Sequence, residues 1–264
     1  MEHTYWLKQT NTPLFPEIEW NKPERRDQAG RLLIIGGHQH SLGAPANAHE
    51  YAKKEGVGDI QMALPNKVKH LVGSTLPGAL FLPSTTSGEL ARDGLDELMA
   101  QANWADTVLL PGDLGRNSQT TMLITDFIAH SSSRLVIAKD AVDALKYTPL
   151  LLLDRAETTL IASFAQLQKL VQNMQLPTAI TFDMGLVKLV AFLHEFSSQY
   201  PCSIMTLHQG NYIVATNGQV STTATDTSDE KRWRIKAASL AACYLTWNPP
   251  KPFETLTHCA FLLK

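Results

Sequence analysis

Short apolar runs that end in glycine or proline recur along the chain and set its predicted architecture. The run RLLIIGG is continuous and apolar, as strands buried on both faces of a parallel sheet are. We predict strands at 31–37, 59–65, 79–83, 106–112, 134–138 and 158–162. Most of these runs are too short for helices, and glycine or proline at their ends favours a turn into a loop.

Helical periodicity is clearest between residues 182 and 197. Apolar residues recur there at three- and four-residue spacing: Leu186, Leu189, Val190, Leu193 and Phe196. Less regular patterns predict helices within 41–56 and at 92–102, 117–130, 164–173, 231–247 and 252–263. Strands and helices therefore alternate through most of the chain, which is typical of an α/β fold with helices on both faces of a mostly parallel sheet.

The last strands are arranged differently. Three short strands at 203–207, 211–215 and 219–223 are separated only by Gln-Gly and Asn-Gly turns, which predicts an antiparallel meander. Residues 1–29 are polar and proline-rich and are predicted to form an N-terminal arm that lies over the domain. Residues 30–264 are predicted to form one domain, with ligands at the carboxyl ends of its parallel strands.

Composition excludes several classes of partner. The formal net charge is −2, and the basic residues do not cluster beyond Lys231, Arg232 and Arg234, so no nucleic-acid partner is predicted. No apolar run approaches the about 20 residues of a membrane span, and the N-terminus lacks the order of a signal peptide. These features predict a cytoplasmic protein without a membrane partner. The thiols of Cys202, Cys243 and Cys259 are predicted to be buried.

Glycine is concentrated where the first strand meets the first helix of the domain. The strand ends at Gly36 and Gly37, and a loop then leads to Gly43, Ala44 and Pro45. Glycine at such a junction allows a ligand to approach the backbone, although an ordinary strand-to-helix turn has the same composition.

This segment resembles the opening of the ADP/ATP-dependent NAD(P)H-hydrate dehydratases, which have the ribokinase-like fold. That family has a Gly-Arg pair, an apolar strand, Gly-Gly-Ser, Gly-Ala-Pro, an alanine-rich helix and Gly-x-Gly. The corresponding residues here are Gly30-Arg31, Gly36-Gly37, Gly43-Ala44-Pro45 and Gly56-Val57-Gly58, with His38 in place of the serine. The resemblance implies a three-layer α/β sandwich of the ribokinase-like type.

Later blocks are similar to the family in their order. The stretch LLPGDLGRN (109–117) is similar to the family's G-P-G-L-G-R, with Leu110 in place of the first glycine and Asp113 inserted. The stretch IAKDAVDAL (137–145) is similar to D-A-D-A-L-N and retains the second aspartate as Asp140. The terminal KPFETLTHCAFLL is similar to the family's penultimate helix.

Other family blocks are altered. IASFAQ (161–166) takes the place of T-P-H-x-G-E, and Leu207-His208-Gln209 takes the place of L-K-G. TTATDTSDEKRW (222–233), which has no glycine, takes the place of the G-G-[ST]-G-D stretch that opens a helix. Consecutive backbone N–H groups at such a helix start stabilise a transferring phosphoryl group, and the aspartate takes the proton of the attacking hydroxyl.

The resemblance implies specific roles for residues of this chain. Asp229 is the implied catalytic base, Gly37, Gly43, Ala44 and Asp140 the implied substrate-binding residues, and Gly112, Gly115, Thr227 and Ser228 the implied nucleotide-binding residues. It further implies Mg²⁺ and ATP or ADP as cofactors, an NAD(P)H-derived nucleotide as substrate, and a homo-oligomer. We also expect Gly36, Gly37, Gly43, Gly112, Gly115 and Asp140 to surround one concave site.

Three functions remain open on the sequence, one of them a small-molecule kinase of the same fold, for which the missing glycines are the same problem. The first is nucleotide-dependent dehydration of hydrated NADH or NADPH, in which the nicotinamide-ring hydroxyl is phosphorylated and phosphate is eliminated. The second is a catalytically impaired homologue that binds a nucleotide or provides a subunit surface, since the glycine-rich stretch is lost. The altered stretch predicts activity far below that of an intact relative, with little effect of Asp229→Asn.

Three further groups of residues have both a functional and an ordinary structural interpretation. Asp226, Asp229 and Glu230 could hold a divalent cation or form a solvated loop and helix start. Arg232, Trp233 and Arg234 are expected on a partly exposed helix face, where contact with a nucleotide is the alternative. His38 and His40 suggest a metal site, but no third ligand is placed by sequence, so no metal ligands are assigned.

Overall fold

The computed structural model describes residues 4–72, 76, 78–226 and 233–264. The strands are β1 Trp6–Gln9, β2 Arg31–Gly36, β3 Asp59–Pro65, β4 Ala79–Leu82, β5 Thr107–Gly112, β6 Arg134–Ala138, β7 Thr158–Ile161, β8 Ser203–His208, β9 Asn211–Thr216 and β10 Gln219–Ala224. The helices are α1 Glu17–Trp20, α2 Gly43–Glu55, α3 Lys69–Val72, α4 Leu95–Trp104, α5 Ser118–His130, α6 Asp140–Ala144, α7 Leu150–Leu153, α8 Phe164–Asn173, α9 Leu186–Gln199, α10 Trp233–Trp247 and α11 Pro252–Leu263.

All ten strands of the described chain form one sheet in the order β1-β10-β9-β8-β7-β6-β5-β2-β3-β4. Strands β2 to β8 run parallel to one another, and β9 is antiparallel to both β8 and β10. The predicted parallel sheet and the terminal meander are therefore confirmed. Sequence order reverses between β2 and β5, because β3 and β4 extend the sheet in one direction and β6 to β8 in the other.

Two apolar clusters, one on each face of the sheet, account for the unbroken apolar strands. In β2, Leu33 and Ile35 pack into the cluster that contains residues of α4, α5, α8 and α9. Leu32 and Ile34 pack into the cluster that contains residues of α2, α10 and α11. Since successive strand residues point to opposite faces, a strand between two helix layers must be apolar throughout. The three-layer α/β sandwich is thus confirmed.

The N-terminal segment contributes a strand to the sheet, in addition to lying over the helices. Strand β1 pairs in parallel with β10, and the Trp6 indole donates a 2.9 Å hydrogen bond to the Thr222 hydroxyl. Ile18 of α1 is fully buried. The arm expected from the sequence therefore extends the edge of the same sheet.

Helix boundaries differ from the sequence predictions mainly at their starts. The helix predicted at 182–197 begins at Leu186 because Gly185 is extended and caps it, and the helix predicted at 92–102 begins at Leu95 after a single 3₁₀ turn. Within the described parts of the chain, none of the helices has both the length and the hydropathy needed to span a bilayer.

Candidate functional site

The carboxyl ends of β2 and β5 meet where the strand order reverses. Open α/β sheets bind ligands at such a point. Gly36 pairs with Gly112 after a register shift in β2. A Cβ added to Gly36 would lie 2.6 Å from the Gly112 carbonyl oxygen, so the two backbones meet more closely than any side chain allows. The glycines at these strand ends are therefore explained by strand packing at the switch point.

The carboxylate of Asp113 lies directly above this junction. Its Oδ2 accepts hydrogen bonds of 2.7 Å from the backbone N–H of Ala44 and 2.7 Å from the hydroxyl of Ser41. Its Oδ1 accepts a 3.0 Å hydrogen bond from Lys139 Nζ. The backbone of Asp113 is left-handed, with φ of 60°, which directs the residue back toward α2. The Asp113 carboxylate therefore binds the N–H and ammonium groups that would otherwise be suited to binding an anion.

These contacts favour the charged form of Asp113. Burial opposes ionisation, but the hydrogen bonds from Ala44 and Ser41 and the ammonium of Lys139 outweigh it and lower the pKa of Asp113 below its ordinary value. The positive end of α2 acts in the same direction, because Ala44 lies in its first turn.

Asp140 joins the same group of residues from the start of α6. Its Oδ1 accepts a 2.7 Å hydrogen bond from the backbone N–H of Asp113, and its Oδ2 accepts one of 2.8 Å from that of Leu114. A Cβ added to Gly112 would lie 2.6 Å from Asp140 Oδ1. Asp140 thus holds the loop that places the Asp113 carboxylate.

The structure brings the six residues expected at one concave site to one edge of the sheet. Gly37 follows Gly36 directly, and a Cβ on Gly43 would lie 3.8 Å from Asp113 Oδ2. Gly115 contacts the side chain of Glu89, and it lines a cavity of about 560 Å³ together with Asp140. Gly112 and Gly115, which the resemblance assigns to the nucleotide, therefore lie beside the residues that it assigns to the substrate. Their roles in binding remain predictions.

A second cavity, of about 280 Å³, opens at the ends of β7 and β8. Its lining includes Ser163, Phe164, Phe182, His208 and Trp233. The imidazole of His208 stacks on the ring of Phe164 with centroids 4.1 Å apart and an angle of 20°, and its Nε2 lies 2.9 Å from the Met184 carbonyl oxygen. Three of the blocks that differ most from the family thus meet at one cavity: 161–166, 207–209 and the start of α10.

The start of α10 is more buried than predicted. Trp233 is only 6% exposed and packs against Tyr212 with ring centroids 5.5 Å apart. The guanidinium of Arg234 is partly buried and donates a 2.8 Å hydrogen bond to Gln166 Oε1. The expectation of a partly exposed face is therefore wrong for Trp233, because α10 packs against the sheet from its first described turn.

The charged guanidinium of Arg234 is partly buried and interacts with two aspartates. Burial lowers the pKa of Arg234, while the nearby carboxylates of Asp143 and Asp140 act in the opposite direction. Its guanidinium thus offsets part of the negative charge that these two aspartates bring to the site. This arrangement has no signal in the sequence, because Arg234 is separated from the two aspartates by more than 90 positions along the chain.

The remaining predicted site residues, Thr227, Ser228 and Asp229, lie outside the described residues, as does Glu230. Asp226 is described and exposed. Among the described residues, no group of three or more His, Cys, Asp or Glu could hold a metal ion. The Mg²⁺ that the resemblance implies therefore has no preformed set of protein ligands in that part of the chain. Mg²⁺ commonly binds through one or two carboxylates and the phosphates of a nucleotide.

Sequence reasoning missed several residues that build the site. Asp113 was recognised only as an insertion, and Lys139, Ser41 and Gln166 were not singled out as site residues. The left-handed backbone at Asp113 and at Lys139, with φ of 60° and 53°, has no clear sequence signal, because neither residue is glycine. Gln166 caps α8 and also donates to the Lys139 carbonyl at 2.6 Å.

Comparison with known proteins agrees with the resemblance seen in the motifs. No protein-family model matches the chain. It is 29% identical over 126 residues to a bifunctional NAD(P)H-hydrate repair enzyme of Methanothermobacter thermautotrophicus, covering 47% of this chain and 24% of the relative. It is 30% identical over 118 residues to that of Moorella thermoacetica, covering 44% and 22%. The matched regions thus span about a quarter of the length of these curated relatives.

Solved structures show the fold. A ribokinase-like superfamily protein of Enterococcus faecalis aligns with a TM-score of 0.74 and 14% identity, covering 100% of this chain and 87% of that one. The ADP/ATP-dependent NAD(P)H-hydrate dehydratase of Bacillus subtilis, co-crystallised with ATP and Mg²⁺, aligns with a TM-score of 0.62 and 15% identity, covering 97% and 88%. The chain has a ribokinase-like fold and resembles NAD(P)H-hydrate dehydratases in sequence.

Proposed function

We propose that this chain catalyses the ATP- or ADP-dependent dehydration of hydrated NADH or NADPH. The observation that carries the proposal is the sequence similarity to curated NAD(P)H-hydrate repair enzymes. The ribokinase-like fold alone does not select this reaction, because a fold supports many functions. A pyridoxal kinase of Staphylococcus aureus, for example, also aligns with the chain, with a TM-score of 0.54, 13% identity, and coverage of 87% of this chain and 84% of that one.

The two cavities support a site for two ligands at the same edge of the sheet. The cavity lined by Gly115 and Asp140 lies beside the switch point and is assigned to the hydrated cofactor. The cavity lined by Phe164, His208 and Trp233 is assigned to the nucleotide that supplies the phosphoryl group. Trp233 ends the segment 222–233, which takes the place of the family's phosphate-binding stretch. A nucleotide in this cavity would therefore lie beside Trp233, the last residue of that segment.

The proposed chemistry needs one base. Asp229 takes the proton of the nicotinamide-ring hydroxyl as the hydroxyl oxygen attacks the terminal phosphoryl group of ATP or ADP, and the P–O bond to the leaving ADP or AMP breaks. The phosphorylated hydrate then loses phosphate as its C–O bond breaks, and a ring proton leaves to restore the double bond of NADH or NADPH. Bound nucleotide supplies the phosphoryl group, and Mg²⁺ carried on its phosphates would neutralise their charge.

The absence of glycine from 222–233 predicts a slow reaction. Non-glycine residues disfavour the left-handed backbone that a tight phosphate loop often needs. The loss of one donor of the oxyanion-hole type costs about 10²–10³ in rate. We therefore expect a rate well below that of a relative whose glycine-rich stretch is intact.

The test is recovery of NADH absorbance from hydrated NADH after addition of ATP or ADP with Mg²⁺. A nucleotide-dependent rate that Asp229→Asn abolishes supports the proposal and the role of Asp229. Asp96→Asn serves as the matched control, because Asp96 is exposed on α4 and its substitution makes the same change of charge. If addition of ATP or ADP gives no recovery of NADH above the spontaneous rate, the proposal is contradicted. A rate that Asp229→Asn leaves unchanged contradicts the role of that residue.

A further inference from the structure

The cavity of about 560 Å³ beside the switch point has an unusual set of charges. Arg116, Lys146 and Lys169 all line it, and they come from three separate segments of the chain. Arg116 follows β5, Lys146 follows α6, and Lys169 lies on α8. The fold therefore gathers three cations at one concave surface.

None of these three cations forms an ion pair with a carboxylate among the described residues. Lys146 Nζ lies 4.9 Å from the ring centroid of Tyr147, whose side chain is largely exposed at the same cavity. By contrast, Lys139, which lies at the same edge of the sheet, is neutralised by Asp113. The three cations are thus available to a ligand, whereas Lys139 is occupied.

The acidic groups of the cavity are already engaged. Asp140 accepts two backbone hydrogen bonds, and Asp143 accepts a 2.9 Å hydrogen bond from Gln166 Nε2. The charges of both also act on the Arg234 guanidinium and raise its pKa, against the effect of burial. At the rim, Glu89 accepts a 2.8 Å hydrogen bond from the backbone N–H of Arg116. The acids are therefore bound to groups of the protein, and the three cations that line the cavity outnumber its two lining carboxylates.

We infer that this cavity binds a phosphate monoester, and that in the proposed reaction it binds the 2′-phosphate of hydrated NADPH. The inference rests on the proposed function. A dianionic phosphate matches a site with one guanidinium and two ammonium groups from different directions. The neighbouring start of α2 is occupied by the Asp113 carboxylate, so a phosphate is directed to the cations instead. The volume is also within the range of ligand pockets.

NADPH and NADH are suitable probes because they differ only in this phosphate monoester. Dissociation constants are measured for both by titration calorimetry, in the unaltered chain and in the double variant Lys146→Gln/Lys169→Gln. We expect the unaltered chain to bind NADPH about tenfold more tightly than NADH, a difference of about 1.4 kcal/mol. In the double variant this ratio should fall to near one.

The double variant Lys53→Gln/Lys54→Gln is the matched control. It removes the same charge from exposed positions near the end of α2, and should keep the preference for NADPH. Thermal unfolding checks that both variants are folded. Equal affinities for NADPH and NADH in the unaltered chain, absence of binding by either, or a preference that survives Lys146→Gln/Lys169→Gln would each overturn the inference.

The dehydration assay with hydrated NADH, which lacks the 2′-phosphate, tests the proposed function separately. If the chain prefers NADPH but does not dehydrate hydrated NADH, the phosphate site is supported and the proposed reaction is contradicted. If the chain dehydrates hydrated NADH but binds NADPH and NADH equally, the proposed reaction is supported and the phosphate site is contradicted.

Discussion

The carboxylate of Asp113 accepts a hydrogen bond of 2.7 Å from the backbone N–H of Ala44, at the start of α2. Asp113 is inserted relative to the family block that 109–117 resembles, and Ala44 belongs to the matched Gly-Ala-Pro. An inserted side chain thus occupies the helix end at which the resemblance implies that substrate is bound.

The first prediction is that Asp113→Asn weakens the dependence of stability on acid pH. The pKa of Asp113 is lowered in the folded chain, so its carboxylate stabilises the fold above the unfolded pKa of about 4. That contribution is lost as pH falls through the folded pKa. At neutral pH we expect the variant to be less stable by about 1–3 kcal/mol, because the buried N–H and ammonium partners lose a charged acceptor.

Urea unfolding at pH values from about 3 to 7 measures this effect. The difference between the unaltered chain and Asp113→Asn should shrink toward the acid end. Asp96→Asn, at an exposed position in the first turn of α4, should change the stability by less than about 1 kcal/mol at every pH. A constant difference at every pH would show that the charge of Asp113 does not stabilise the fold.

The second prediction concerns the close contact of β2 and β5. A methyl group at Gly36 would lie 2.6 Å from the Gly112 carbonyl oxygen, and a backbone atom cannot move aside as a side chain can. Gly36→Ala should therefore lower the free energy of unfolding by about 1–3 kcal/mol. Gly185→Ala is the matched control, since no atom lies within 4 Å of a Cβ placed there. Equal unfolding midpoints for the two variants would contradict the proposed contact.

Much of this fold could be predicted because its strands and helices have strong local patterns. Helix α8 has the predicted bounds, 164–173, since Ser163 and Gln166 form a capping box at its start. Strand β1 could not be predicted, because it has four residues and is stabilised by distant partners on β10. For the same reason the contacts of Asp113 with Ala44 and Lys139 required the structure, although both family blocks could be recognised in the sequence.

The third prediction tests the N-terminal strand. Gln9 is 4% exposed, donates to the Thr223 hydroxyl and the Thr257 carbonyl at 2.9 Å each, and accepts from the Leu14 N–H at 2.9 Å. Gln9→Ala leaves buried polar groups without partners and should destabilise the fold by roughly 1–3 kcal/mol. Lys8→Ala, next to it on an exposed position, should cost much less. Chemical unfolding of both variants decides whether β1 is an integral part of the sheet.

The fourth prediction is that the native chain does not react with thiol reagents. Cys202, Cys243 and Cys259 are all buried, as expected from the sequence. Burial raises the pKa of the Cys202 thiol to about 12 and raises the pKa of the other two thiols as well. Since the thiolate is the reactive form, labelling with a disulfide reagent at neutral pH should be very slow. Unfolding in denaturant should release all three thiols, and rapid labelling of the native chain would contradict their burial.

The last prediction is that Asp113→Gly increases affinity for a phosphate-bearing ligand. The change removes a negative charge and frees the Ala44 N–H and the ammonium of Lys139, while glycine suits the left-handed backbone at this position. We expect inorganic phosphate to bind about tenfold more tightly, because about 1.4 kcal/mol of charge repulsion and competition is removed. Asp113→Asn removes the charge but leaves a side chain of the same size at the start of α2, so its gain should be smaller. Calorimetric titration with phosphate at constant ionic strength gives the comparison. A loss of affinity in Asp113→Gly would mean that Asp113 holds this loop in a binding conformation instead of competing with the anion.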